Sequence, residues 1–109
     1  MANIYLSEAA KTDLTDARRY IANELQNQTA AQRVVAKIVK SMRVLEQFPF
    51  SGTPLQIAET DTGYRVVTSG NYRIFYRCDE NSVYIIRVLY GHRDYMRILF
   101  GIFETQNDE

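Results

Sequence analysis

The sequence predicts a single α+β domain in which a short N-terminal strand and a hairpin of two helices pack on a twisted antiparallel β-sheet. Two observations carry this prediction. Apolar residues recur at three- and four-residue steps before residue 48, and they alternate with a period of two after residue 63. The length of 109 residues suits one domain. We expect that domain to span residues 1–100, followed by an acidic polar tail at 101–109.

Residues 3–6 are predicted to form a short first strand, after which Ser7 can cap a helix over residues 8–26. One apolar face runs along that helix, and the charged residues are expected on a solvated face. The apolar positions are Ala10, Leu14, Ala17, Ile21 and Leu25, and the charged ones are Asp13, Asp16, Arg18 and Arg19.

A second amphipathic helix is predicted over residues 29–47. Thr29 and Gln32 have the spacing of a capping box, and Pro49 disfavours helix at Phe48. The apolar face of this helix comprises Ala31, Val34, Val35, Ile38, Met42 and Leu45. Because the link at Asn27-Gln28 is short, the two helices should lie antiparallel.

Residues 50–63 contain two glycines and one proline with little periodicity, so a loop is expected there. Strands are predicted at residues 64–69, 72–77 and 83–90, joined by turns at 69–71 and 79–82 into an antiparallel meander. A short helix is predicted at 94–100.

The composition excludes several classes of protein. The sequence has no run of 18 apolar residues and no secretory signal, so cytoplasmic residence is the default expectation. A lone cysteine, Cys78, excludes an internal disulfide, and one histidine with one cysteine makes no metal constellation. No phosphate-binding loop or serine-hydrolase motif occurs, and no cofactor is expected.

The net charge is zero, but its distribution is uneven. Residues 63–100 carry six arginines, no lysine and three carboxylates, and the tail after them is acidic. Alternation along the strands predicts that Arg65, Arg73 and Arg77 look outward, where three guanidinium groups would crowd unless an anionic partner met them. As a plainer alternative, these arginines only keep the exposed face of the sheet soluble and bind no partner. Arg87 is expected at an edge or partly buried with a partner such as Asp94.

The run after the last strand, residues 91–95, supplies the remaining candidates. His92 could act as a general acid or base, although a lone histidine is more often a structural group that bonds a turn carbonyl. Arg93 and Asp94 can shape the corner by pairing with the backbone or with Arg87. Tyr95 could stack on a base or a partner residue, with packing as its default role.

Four stretches, in their order and spacing, give the chain a resemblance to a known family. They are YIANELQNQTAA, LEQFPFSGTPL, GYRVVTSGNYRIFYR and VYIIRVLYGHRDY, and together they resemble the RelE/ParE superfamily of type II toxin–antitoxin modules. The resemblance implies the fold predicted above and a toxin neutralised by a cognate antitoxin. The antitoxin would lie in the apolar groove between helices and sheet, with arginines meeting its carboxylates, and would supply the contacts to operator DNA.

The resemblance leaves two targets open. In the RelE-like branch, a ribosome-dependent mRNA endonuclease, Arg65, Arg73, His92 and Tyr95 would be the catalytic residues. Val67 stands where that branch often has a second cation, and a neutral chain suits ribosome binding poorly. The ParE-like branch poisons DNA gyrase without chemistry of its own, and it is favoured here. In either case Arg65, Arg73, Arg77 and Arg93 are the expected antitoxin- or target-binding residues. As a third alternative, the protein is an interaction module whose arginine face only binds an acidic, antitoxin-like partner.

Overall fold

The computed structural model of the protein describes residues 1–91 and 94–101. The elements follow in the order β1 (Asn3–Leu6), α1 (Glu8–Glu24), α2 (Gln28–Val44), β2 (Thr53–Ile57), β3 (Thr60–Ser69), β4 (Tyr72–Cys78), β5 (Ser82–Tyr90) and α3 (Tyr95–Phe100). The predicted α+β class and the helical hairpin on a sheet are confirmed. None of the helices within these residues is long and apolar enough to cross a membrane.

The five strands form one sheet in the order β1-β5-β4-β3-β2. All neighbours are antiparallel except β1, which pairs with β5 in parallel, so the sheet is mixed rather than wholly antiparallel. The helical hairpin connects β1 to β2 at the opposite edge of the sheet, and the antiparallel meander from β2 to β5 returns the chain to β1. β5 therefore lies beside β1 and runs in the same direction.

The prediction of a loop at residues 50–63 is wrong, because β2 and the start of β3 lie there. Proline is tolerated in β2 since that strand is at the edge of the sheet. The β2–β3 turn is made by Ala58 and Glu59, both with positive φ (51° and 68°). Such a turn normally requires glycine or asparagine, so neither residue type indicated a turn here.

The helices begin close to the predicted positions. Ser7 caps α1 as expected, and its hydroxyl oxygen accepts a hydrogen bond from the Ala10 N–H at 2.9 Å. The prediction of a capping box at Thr29 is wrong. Asn27 is the N-cap of α2, and its side-chain oxygen accepts from the Ala30 N–H at 3.0 Å.

The main core lies between the helical hairpin and one face of the sheet, which we call the helix face. α1 packs against β5 and α2 against β3. The fully buried side chains of this core include Ile38, Leu45, Ile74, Tyr76, Val83 and Ile85. The opposite side, the outer face, carries α3, whose Tyr95 ring stacks on buried Phe75 with centroids 5.4 Å apart.

Candidate functional site: two sheet faces and a groove

Arg65 and Arg73 project to opposite sides of the sheet. In an antiparallel pair, residues directly opposite each other share a face. Arg65 is opposite Tyr76, which belongs to the core, whereas Arg73 is opposite Thr68 and next to Ile74 of the core. The expectation that Arg65, Arg73 and Arg77 converge on one outward surface is therefore wrong for Arg65. The expectation of an outward position holds for Arg73 and Arg77, which lie on the same face of β4 as Phe75.

The Arg65 guanidinium is engaged by the chain's own backbone. Its Nη1 donates hydrogen bonds to the carbonyl oxygens of Phe50 at 2.9 Å and Gly52 at 2.8 Å, and the guanidinium lies over the Phe50 ring at 5.2 Å. These contacts hold the segment between α2 and β2. Arg65 is thus a structural clamp in this fold, since its Nη1 is bonded to two backbone carbonyls.

Tyr76 holds the same segment from inside the core. Its hydroxyl donates to the Pro49 carbonyl oxygen and accepts from the Gly52 N–H, both at 2.8 Å. A Cβ atom at Gly52 would lie 2.5 Å from the Tyr76 hydroxyl oxygen, so glycine is required by close approach. Burial raises the pKa of Tyr76 and also that of Cys78, whose thiol donates to the Pro49 carbonyl oxygen.

On the outer face, Arg73 and Tyr95 come together. The Arg73 guanidinium lies over the Tyr95 ring at 5.7 Å. Both line an open cavity of about 440 Å³ whose other walls are supplied by the start of β2 and by β3 and β4. The cavity offers one cation and one phenol to a guest. The two other members of the expected catalytic set are Arg65, which is on the helix face, and His92, which lies outside the described residues together with Arg93.

Arg87 pairs with Asp13 rather than with Asp94. Its Nε and Nη2 donate to the two carboxylate oxygens of Asp13 at 2.7 and 2.8 Å. The Val88 N–H donates to the same carboxylate at 2.8 Å. The hydrogen bond to Asp13 raises the pKa of Arg87. Asp94 instead caps α3, where its side chain accepts from the Arg97 N–H.

A groove lies between the end of the helical hairpin near the α1–α2 link and the end of the sheet at the β3–β4 turn, and we call it the hairpin groove. It consists of two adjoining cavities of about 490 and 370 Å³ that share Tyr20, Tyr72 and Tyr90. Tyr20 and Leu25 are 60% and 63% exposed and line the same cavity, so they add to one contiguous apolar surface. Glu24 and Lys37 contribute charge of both signs. The groove has the apolar lining and polar rim that suit a protein partner.

Sequence reasoning missed three features of these surfaces. Asp13 was expected on the solvated face of α1, yet its side chain is only 10% exposed. Its position between Ala10 and Ala17, three and four residues away, was the available signal. The locking of residues 49–52 by Tyr76 depends on strand register, which the sequence did not reveal. The same is true of the stacking of the Tyr5 ring on Tyr84, which are paired across β1 and β5.

The chain matches the model of a known protein family over most of its length. The model of the family described as "ParE toxin of type II toxin-antitoxin system, parDE" matches residues 4–95. The chain belongs to this family, and the protein is a type II toxin. The superfamily expected from the sequence is thereby confirmed. No curated protein sequence matches the chain.

Solved structures share the fold at low sequence identity. The ParDE system of P. aeruginosa matches with a TM-score of 0.70 and 19% identity, covering 84% of this chain and 98% of that one. The RelBE2 complex of Mycobacterium tuberculosis gives 0.61 and 24%, covering 82% and 96%. A YoeB/ParE toxin from Agrobacterium tumefaciens gives 0.57 and 20%, covering 83% and 99%. All three are under 25% identical to this chain and share its fold.

Proposed function

We propose that this toxin poisons DNA gyrase through protein contacts and that a cognate antitoxin neutralises it by binding in the hairpin groove. The observation that carries the choice of target is the position of Arg65. Its guanidinium is bonded to backbone carbonyls on the face opposite Arg73. A phosphate held by Arg73 is therefore out of reach of Arg65. The developing charge of RNA cleavage needs preorganised cationic donors aimed at one point.

The proposal for the antitoxin rests on the exposed apolar surface of the groove. An amphipathic helix that binds in a groove contacts it through apolar side chains spaced three and four residues apart. Tyr20, Leu25 and Tyr90 offer such anchors large exposed contact areas. We infer that the antitoxin helix covers these residues. In this proposal operator DNA is contacted through the antitoxin, and gyrase as the target implies that the toxin acts in the cytoplasm.

A purified gyrase assay tests the proposed target. The toxin, freed from its antitoxin, is added to gyrase with relaxed plasmid, and supercoiled product and protein-linked linear DNA are measured. We expect linear DNA to accumulate and supercoiling to stop, with both effects reversed by the antitoxin. Parallel translation of a reporter message is the control, and it should proceed normally. Unaltered gyrase activity at toxin concentrations that arrest growth would refute the proposal.

A second candidate function has one observation in its favour. Arg73 and Tyr95 lie side by side at an open cavity on the outer face, where a nucleotide could contact both a cation and an aromatic ring. A ribosome-dependent endonuclease built on Arg73, Tyr95 and His92 predicts cuts in translated messages that follow the reading frame. Mapping of RNA ends after toxin induction separates this outcome from gyrase poisoning.

A further inference from the structure

A row of aromatic rings and one guanidinium crosses the outer face at the end away from the cavity. Tyr5 and Tyr84 are paired in register across β1 and β5, and their rings stack with centroids 5.5 Å apart and planes 16° apart. Tyr84 is in turn opposite Arg77 of β4. The Arg77 guanidinium lies over the Tyr64 ring of β3 at 5.2 Å. The four side chains, Tyr5, Tyr84, Arg77 and Tyr64, form what we call the aromatic row.

Three of the four side chains of the aromatic row are open to solvent, whereas Tyr64 is half-buried against the Phe100 ring of α3, with centroids 5.1 Å apart. The row has no anionic partner within residues 1–91 and 94–101. Tyr5 and Tyr84 are about half exposed, and Arg77 is exposed. Arg77 and Arg73 form no salt bridge with a described carboxylate. Among the described strand residues of this face, arginine is the only charged type. Asp61 lies on the helix face instead, because it is four residues from Arg65 in β3. The strand positions of this face are therefore positive and aromatic in a protein of zero net charge.

The shape of the row favours flat ligands. The three cavities described above are not lined by any of these four residues. A protein partner usually anchors a side chain in a pocket, and the hairpin groove provides one, whereas this row does not. Aromatic side chains on an open sheet surface stack readily on unpaired bases, and a neighbouring guanidinium can both stack and meet a phosphate.

We propose that the aromatic row binds single-stranded DNA, with bases stacked on Tyr84 and Tyr5 and a phosphate held by Arg77. The binding is sequence-tolerant, because every base presents a π-face. The choice of DNA over RNA rests on the proposed function, since gyrase works on DNA. The surface would then hold an unpaired stretch of the DNA on which the target acts. It lies apart from Arg73 and Tyr95 and does not require any catalytic step.

Fluorescence anisotropy with the purified full chain and a labelled oligothymidine of about 12 nucleotides tests the row directly. At about 50 mM salt we expect a Kd of about 10⁻⁴ to 10⁻⁵ M, within the usual range of non-specific binding. With one or two phosphates contacted, log K should fall with log salt at a slope of about −0.7 to −1.4. Tyr84→Ala and Arg77→Ala should each weaken binding by about tenfold, and Tyr84→Phe, which keeps the ring, should retain it.

Matched controls lie outside the row. Phe48→Ala removes an exposed ring and Arg33→Ala an exposed arginine, and neither should alter the affinity. Equal losses in these controls, or no binding of oligothymidine, would overturn the proposal. Tighter binding of oligouridine or of duplex DNA would overturn the assignment to single-stranded DNA. Since the assay contains no gyrase, its outcome is independent of the supercoiling assay, so failure of either proposal can be told from failure of the other.

Discussion

Arg87 and Asp13 join the first helix to the last strand through a bidentate ion pair. The pair sits where β5 carries an irregularity, because Tyr76 is opposite Ile85 while Phe75 is opposite Arg87, leaving Ile86 unpaired. The Ser7 hydroxyl donates to the Ile86 carbonyl oxygen at 2.7 Å, so the N-cap of α1 also contacts this point. A β-bulge redirects a side chain, and here the bulge accompanies an arginine that reaches α1.

Replacement of Asp13 should therefore destabilise the fold. Asp13→Ala leaves a largely buried guanidinium and the Val88 N–H without their acceptor, and we expect a loss of about 2–3 kcal/mol in the free energy of unfolding. Urea denaturation measures this loss. Asp16→Ala is the matched control, since Asp16 lies 4.0 Å from Arg19 with both side chains exposed, and it should cost no more than about 0.5 kcal/mol. Equal effects of the two changes would contradict the assigned role of Asp13.

The Tyr76 hydroxyl should contribute measurably to stability through the segment that it holds. Tyr76→Phe keeps the ring but removes the bonds to Pro49 and Gly52, and we expect a loss of about 1–3 kcal/mol. Gly52→Ala forces a Cβ against the same ring and should cost about 1–3 kcal/mol by overpacking. Thermal unfolding monitored by circular dichroism compares these variants. Thr53→Ala, at an exposed neighbouring position, is the control and should change little.

Stability should fall in alkaline solution because buried phenols must stay neutral. The pKa values of Tyr76 and Tyr72 are raised above the ordinary 10.0, chiefly by burial. A raised pKa in the folded state means that the stabilising contribution is complete below pH 10 and is lost as the pH rises from there towards the folded-state pKa. Urea midpoints measured from about pH 8 to 11 should show this decline. The decline should be shallower in Tyr76→Phe, and an unchanged slope would contradict it.

The helices and the three later strands could be predicted because their periodicity is strong. The apolar faces of α1 and α2 and the alternation in β4 are visible in the sequence. β2 could not be predicted, because its turn uses Ala58 and Glu59 in a conformation that those residues rarely adopt. The N-cap of α2 was misplaced by two residues since Asn27 and Thr29 are both acceptable caps.

The candidate surfaces were less predictable, because they depend on which face of each strand meets the helices. Alternation correctly grouped Arg73 with Arg77 and separated them from Ile74, but it could not align β3 with β4. The register places Arg65 beside Tyr76, on the helix face. Partners far apart in sequence, such as Asp13 and Arg87, are likewise set by tertiary packing rather than by local pattern.

Substitution in the hairpin groove should weaken antitoxin binding without unfolding the toxin. Leu25→Glu places a charge on an exposed apolar side chain of the groove, and we expect the Kd for the cognate antitoxin to rise by at least about tenfold. Isothermal titration calorimetry measures the change. Val44→Glu introduces the same charge at an exposed apolar position outside the groove and should leave the affinity near that of the native toxin. Unchanged binding by Leu25→Glu would place the antitoxin elsewhere.

Alanine substitutions of Arg65 and Arg73 should have different effects on stability and on toxicity. Arg65→Ala removes two hydrogen bonds from a guanidinium to backbone carbonyls, so we expect a loss of about 1.5–3 kcal/mol in the free energy of unfolding. Arg73→Ala removes a contact with the Tyr95 ring and should cost no more than about 1 kcal/mol. If the toxin poisons gyrase as proposed, purified Arg73→Ala should still stop supercoiling, whereas an endonuclease would lose its cleavage of translated messages. If the Arg65→Ala protein is as stable as the native chain, Arg65 has no structural role, and its guanidinium would be available to act on a target.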